Sequence, residues 1–247
     1  MTFKLTDSYN AQNLRLTPAA YYPLNERSGT TAFDLSKNGY NATYAASGVT
    51  LAQASPLKGD PNALSVLFDG SNGDANCSAS LSTAGWTSFT LLAWFRLSNN
   101  TFTNYPNIMG NDGNAAGFNV VVAPSSDGST AYFNIFTTVK NSLSYGTTVL
   151  AANTWFYSAT TWDGTTMKWY QNGNTTPVGS LAASGSIATT ANHVYIGNNP
   201  RDTTSYQFPG NLAGLMLIQR ALTLDEIQAI WHKSQAAPAW IGVVEAA

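Results

Sequence analysis

The stretch Trp155-Phe-Tyr-Ser-Ala-Thr-Thr-Trp162-Asp163-Gly164-Thr-Thr-Met167-Lys-Trp-Tyr-Gln171-Asn172-Gly173 decides the fold. Aromatic and β-branched residues fill two short runs, the first ending at Asp-Gly and the second at Asn-Gly, which predicts a β-hairpin leading into a further strand. Glycine tolerates the positive φ of such turns, and the Asp or Asn before it tolerates a left-handed backbone and bonds its own main chain. The core is therefore expected to be antiparallel sheet.

Outward from the hairpin the same grammar repeats. Ser88–Leu97 is apolar at nearly every position, so it reads as a strand covered on both faces. Ala19–Leu24, Tyr40–Tyr44, Ala63–Phe68, Gly117–Val122, Ala131–Phe136, His193–Gly197 and Gly210–Ile218 read as further strands, with Gly, Asn, Asp and Pro clusters between them. The exception lies near the end. Thr223-Leu-Asp-Glu226 is a capping box, and Leu224, Ile227, Ile230 and Trp231 follow on one helical face, with Lys233 in the last turn. The expected fold class is all-β, a two-sheet antiparallel sandwich with one short C-terminal helix.

Composition narrows the function classes. Only 10% of the 247 residues are charged against 44% apolar, so the surface must be solvated mainly by Asn, Thr, Ser and Gly. The net charge is −2 and the eleven Lys and Arg residues are scattered, which speaks against nucleic acid, whose binding needs clustered cations. Cys77 is the single cysteine and excludes an internal disulfide. No apolar run follows Lys4 as a secretory signal requires, and the longest one, Leu212–Ile218, is too short to span a membrane. The sequons at Asn41, Asn76, Asn99 and Asn174 read as chance products of an Asn- and Thr-rich chain.

Several motifs, taken in order, resemble the laminin G-like family of concanavalin A-like jelly rolls, in its bacterial and phage branch. They are Tyr22-Pro-Leu-Asn-Glu26 with Gly29, Asp34-Leu-Ser-Lys-Asn-Gly39, Phe68-Asp-Gly70, Ser88–Trp94, Trp155 with Trp162-Asp-Gly164, Trp169–Gly173, Ile196-Gly197, Phe208-Pro-Gly210 and Arg220–Ile227. The resemblance implies two packed antiparallel sheets of six or seven strands each, with the first and last strands adjacent. It implies no single activity, since this fold hosts lectins, adhesion modules, virion proteins and hydrolases. Residues 18–233 form the expected domain, 1–17 an extended arm and 234–247 a tail. Where the family often carries an acidic pair in the last strand, this chain has Ala213 and Gly214.

The chemistry is read mainly by exclusion. A retaining glycosidase needs two carboxylates about 5 Å apart, and the glutamates here are Glu26 in a turn, Glu226 in the capping box and Glu245 in the tail. No catalytic residue is assigned and the protein is not expected to be an enzyme. No cofactor is expected; Asp69, Asn72, Asp74 and Asp112 could offer oxygens to Ca²⁺, but turns between strands account for them better. Phe102, Tyr105, Tyr145 and Tyr206 lie in predicted loops and are the candidate stacking platforms for a glycan. Leu14, Leu16, Trp240, Ile241, Val243 and Val244 in the two extensions are the candidate assembly contacts.

The sequence points first to a non-enzymatic structural protein on a bacteriophage virion surface, decorating the capsid or associated with the tail, made in the host cytoplasm. Its expected partners are other virion proteins or copies of itself. The alternative is a carbohydrate-binding module or receptor-binding tail component recognising host glycans. Neither nucleic acid nor membrane is expected as a partner.

Overall fold

The computed structural model describes residues 9–99, 105–113, 115–122, 130–137, 140–146, 150–202 and 204–236. In chain order these form α1 (Tyr9–Leu14), β1 (Ala20–Tyr22), β2 (Thr31–Ala32), β3 (Ala42–Tyr44), β4 (Val49–Ala54), β5 (Leu64–Asp69), β6 (Ala75–Cys77), β7 (Phe89–Leu97) and β8 (Asn107–Gly110). There follow β9 (Gly117–Val121), β10 (Thr130–Phe136), β11 (Lys140–Gly146), β12 (Trp155–Trp162), β13 (Thr166–Gln171), β14 (Gly179–Ala182), β15 (Tyr195–Ile196), β16 (Pro209–Ile218) and α2 (Leu224–Gln235).

The strands make two antiparallel sheets of eight, a little larger than the six or seven implied by the resemblance. The first has the order β14-β13-β12-β7-β16-β5-β4, with β1 also paired to β16. The second has the order β11-β10-β9-β8-β15-β6-β3-β2. First and last strands are therefore neighbours, as the jelly roll requires.

The opening hairpin forms as its residues dictate. Trp162 pairs with Met167 across the turn, and Asp163 Oδ1 accepts the Thr165 and Thr166 N–H groups at 2.9 and 2.7 Å. At its far end Asn172 and Gly173 both take positive φ, +49° and +73°. A Cβ on Gly173 would enter the Trp231 ring, so the turn and α2 fit only because glycine is there.

Alternation on β7 sends Leu91, Ala93, Phe95 and Leu97 between the sheets, where they join the main core with Phe118, Phe133, Trp162 and Trp169. Leu92 and Trp94 point the other way. They meet a second apolar cluster, built by Tyr9, Leu16, Tyr157, Ile227 and Ile230, that seats both helices on the outer face of the first sheet. Burial of β7 on both faces follows.

That second cluster corrects the expectation of an extended arm. Residues 9–14 are helical, and Leu16 is 1% exposed rather than free to meet a partner. Asn13 Nδ2 donates to the Tyr21 hydroxyl at 3.1 Å, and Asn10 Nδ2 donates to Asp60 at 2.9 Å. Leu14, at 37% exposure, remains on the surface. Trp240, Ile241, Val243 and Val244 lie outside the described residues.

Candidate functional site

The second sheet differs from the first in what its outer face carries. Phe118 and Val120 of β9, Phe133 and Ile135 of β10, and Ala75 and Cys77 of β6 all enter the core, so strand alternation sends Asn119, Asn134 and Asn76 outward. Register aligns them. Thr31 pairs with Thr43, Thr43 with Asn76, Asn76 with Tyr195, Tyr195 with Gly110, Gly110 with Asn119, Asn119 with Asn134, and Asn134 with Ser142. One polar row thus crosses the whole sheet. From Asn76 to Asn134 it spans four inter-strand spacings, about 19 Å. Gly110 keeps the middle flat: a Cβ there would lie 2.8 Å from the Phe118 carbonyl and 2.9 Å from the Asn119 Cβ.

The β9–β10 half of the row is rigid and covered, with Asn119 1% and Asn134 6% exposed. Asn134 Nδ2 donates to Asn119 Oδ1 at 2.6 Å, and Asn119 Nδ2 donates to Asp112 Oδ2 at 2.9 Å. Arg201 Nη1 reaches the same carboxylate oxygen at 3.4 Å; the Asp112 side chain is fully buried and that of Arg201 is 35% exposed. Among the described residues the buried amide atoms Asn134 Oδ1 and Asn199 Nδ2 have no hydrogen-bond partner.

The β6–β15 half is more open. Asn76 Nδ2 donates to the Tyr195 hydroxyl at 3.1 Å, and the His193 Nδ1–H donates to Asn76 Oδ1 at 3.0 Å. Burial raises the Tyr195 hydroxyl, with Asp74 and Cys77 adding to the effect. Burial also raises the Asp74 carboxyl, against the Asn198 amide that donates to it at 3.0 Å. Beside His193 a small polar cavity of about 160 Å³ is lined by Leu81, Ser82, Asn111, Thr190 and Asn192.

Two of the four candidate aromatics come together at the start of β8. Tyr105 and Tyr206 stack with centroids 5.5 Å apart and planes at 29°; Tyr105 is 42% exposed and Tyr206 is half-buried. Backbone bonds fix both, from Tyr105 N–H to the Ser205 carbonyl at 2.7 Å and from Asn107 N–H to the Tyr206 carbonyl at 3.1 Å. Burial raises the Tyr206 hydroxyl, with Arg201 opposing the shift and Asp112 adding to it. Tyr145 lies in β11 rather than in a loop, because it pairs with Ala131 on β10. Its side chain and the whole of Phe102 lie outside the described residues.

The oxygen ligands considered for calcium are engaged elsewhere. Burial alone would raise the Asp69 carboxyl, but the Asn72, Ser71 and Gly73 N–H groups, at 2.8, 2.8 and 2.9 Å from Oδ1, together hold it below its ordinary value. Asp74 receives Asn198, and Asp112 receives Asn119 and Arg201. Among the described residues no group of three or more His, Cys, Asp or Glu is placed to hold a metal. Glu26 accepts the Phe33 N–H at 2.9 Å and the Tyr44 hydroxyl at 2.8 Å, and Glu226 serves the α2 cap.

The sequence marks Asn76 only as a chance sequon and does not mark Asn119, Asn134, Tyr195 or Arg201. The signal existed as an Asn between two apolar residues in both Phe118-Asn-Val and Phe133-Asn-Ile. Only the register turned that coincidence into a row.

The concanavalin A-like lectin/glucanases superfamily is matched over residues 69–228. Among solved structures the chain is similar to the binding domain of Paraclostridial Mosquitocidal Protein 1, with a TM-score of 0.66 and 14% identity, covering 92% of this chain and 52% of that one. It is similar to the receptor binding domain of botulinum neurotoxin type G, with a TM-score of 0.64 and 14% identity over 87% of this chain and 51% of that one. A third similar structure belongs to botulinum neurotoxin type C, whose cell entry is described as dependent upon interaction with two ganglioside molecules; the TM-score is 0.65 at 14% identity, over 91% and 53% of the two chains. The chain spans about half the length of each, and the likeness is one of fold. No match is found among curated protein sequences.

Proposed function

The chain belongs to the concanavalin A-like lectin/glucanase superfamily, and from that premise we propose that it is a non-enzymatic carbohydrate-binding module whose glycan lies across the outer face of the second sheet. The observations that carry this are the open Asn76–Tyr195–His193 end of the polar row, backed by the buried Asn119–Asn134 amides, and the stacked Tyr105–Tyr206 pair. Sugar hydroxyls need donors and acceptors in fixed positions, and asparagine amides supply both; the apolar face of a pyranose stacks on an aromatic ring. At the open end Asn76 is already held by Tyr195 and His193, so it loses little order on binding. The similar structures are binding domains, which favours recognition over turnover. So does the use of Glu26 and Glu226 in turn and cap hydrogen bonds.

Display on a virion surface belongs to the same proposal and is supported by the weakly charged, amide-rich composition. Attachment through residues 9–17 is not favoured, since Leu16 is buried in its own domain.

A glycan array tests the reading. The wild-type chain is expected to retain at least one glycan class, and Tyr105→Ala to weaken it about three- to tenfold. Release of reducing sugar from any bound glycan would refute the non-enzymatic assignment.

A further inference from the structure

The polar row ends at Thr31, and two residues beyond it the surface changes character. From Ala32 to Lys37 burial alternates strictly: Ala32, Asp34 and Ser36 are buried, while Phe33, Leu35 and Lys37 are exposed. Phe33 at 53% and Leu35 at 42% are two of the four large exposed apolar side chains among the described residues. Two residues apart on one face of an alternating segment, they form a paired apolar tip rather than singly scattered surface residues.

They are held outward by a fully bonded backbone. The Asp34 carboxylate accepts the Tyr21 N–H at 2.8 Å, the Ser36 N–H at 2.8 Å, the Ser36 hydroxyl at 2.8 Å and the Tyr40 N–H at 2.7 Å. Glu26 accepts the Phe33 N–H, and the Leu35 N–H reaches the Tyr21 carbonyl at 2.8 Å. Asp34, and Glu26 just before the segment, are thus turned inward, and what the segment presents outward is Phe33 and Leu35, with Arg27 and Lys37 exposed at its two ends. On a chain of net charge −2 the outward-facing charges of this segment are both cationic.

We propose that the segment from Arg27 to Lys37 is a peripheral membrane contact whose partner is an anionic lipid surface, with Phe33 and Leu35 entering the headgroup boundary and Arg27 and Lys37 meeting its phosphates. The charge pattern chooses this occupant. Two-fold pairing with a second copy would set Lys37 and Arg27 against their own kind, whereas an anionic interface attracts both. No helix among the described residues is long and apolar enough to cross a membrane, and none is needed for a contact of this kind. The proposal does not depend on glycan binding.

The test is co-sedimentation of the full chain with phosphatidylcholine vesicles, with and without phosphatidylserine and free of glycolipid. Binding to the anionic vesicles is expected to exceed that to neutral ones and to fall with salt. Phe33→Ser with Leu35→Ser should weaken it at least about tenfold, and Lys37→Glu about fivefold or more. All three positions are exposed, and an unchanged melting temperature confirms that the variants are folded. Absence of binding, equal binding to neutral vesicles, or indifference to the double substitution would each overturn the proposal. So would a dimer of the wild-type chain that the double substitution dissolves, which would assign the patch to a second copy.

Discussion

At the scale of single residues, burial decides reactivity. Cys77 is 2% exposed between β3 and β15, and burial pushes its thiol up to about 12, with the Tyr22 hydroxyl bond opposing the shift. A thiol held protonated is a poor nucleophile. It is expected to resist alkylation in the native protein and to react within minutes on unfolding; fast labelling without denaturant would contradict this. Glu226 shows the opposite case. Two bonds of 2.8 Å from Arg220, with the Thr223 N–H at 3.0 Å, hold its carboxyl below the ordinary value of 4.5. A depressed folded-state value contributes stability that is present above the unfolded one and lost as pH falls through the folded one. Replacing Glu226 with Gln should therefore cost about 1 kcal/mol at neutral pH. The gap to wild type should close below about pH 4, as read from urea melts across that range.

At the scale of elements, the helices and strands differ in how far the sequence announces them. The β12–β13 hairpin was legible because Asp163-Gly164 and Asn172-Gly173 are turn chemistry, independent of anything distant. The α2 helix was legible for the same reason, through Thr223 and Glu226. By contrast α1 is one and a half turns of Tyr-Asn-Ala-Gln-Asn-Leu, too short for a period and without acids in its first turn. Tertiary contacts make it. Tyr9 is 1% exposed among Trp94, Tyr157 and Ile230, and Leu16 closes the segment over the first sheet. Tyr9→Ala is expected to cost about 3–4 kcal/mol in chemical denaturation. A loss below about 1 kcal/mol would mean that the segment is ornamental to the fold.

At the scale of the whole molecule, the two sheets have divided the work. The outer face of the first is apolar and carries the helices; the outer face of the second is amide-rich and carries the polar row. The sequence made the sandwich readable, because alternation and turns are local, and it offered Tyr105 and Tyr206 as loop aromatics. It hid their stacking, and it hid the row, because each member comes from a different strand and only the order β10-β9-β8-β15-β6 brings them into line. The proposed site is thus a property of register. The measurement that tests this most directly is calorimetric titration of the strongest array glycan into the wild-type chain and into Asn76→Ala, whose amide sits on the open half of the row. A loss of about tenfold in affinity with an unchanged melting temperature is the expected result. Equal affinity in the two proteins would place the glycan elsewhere and contradict the account.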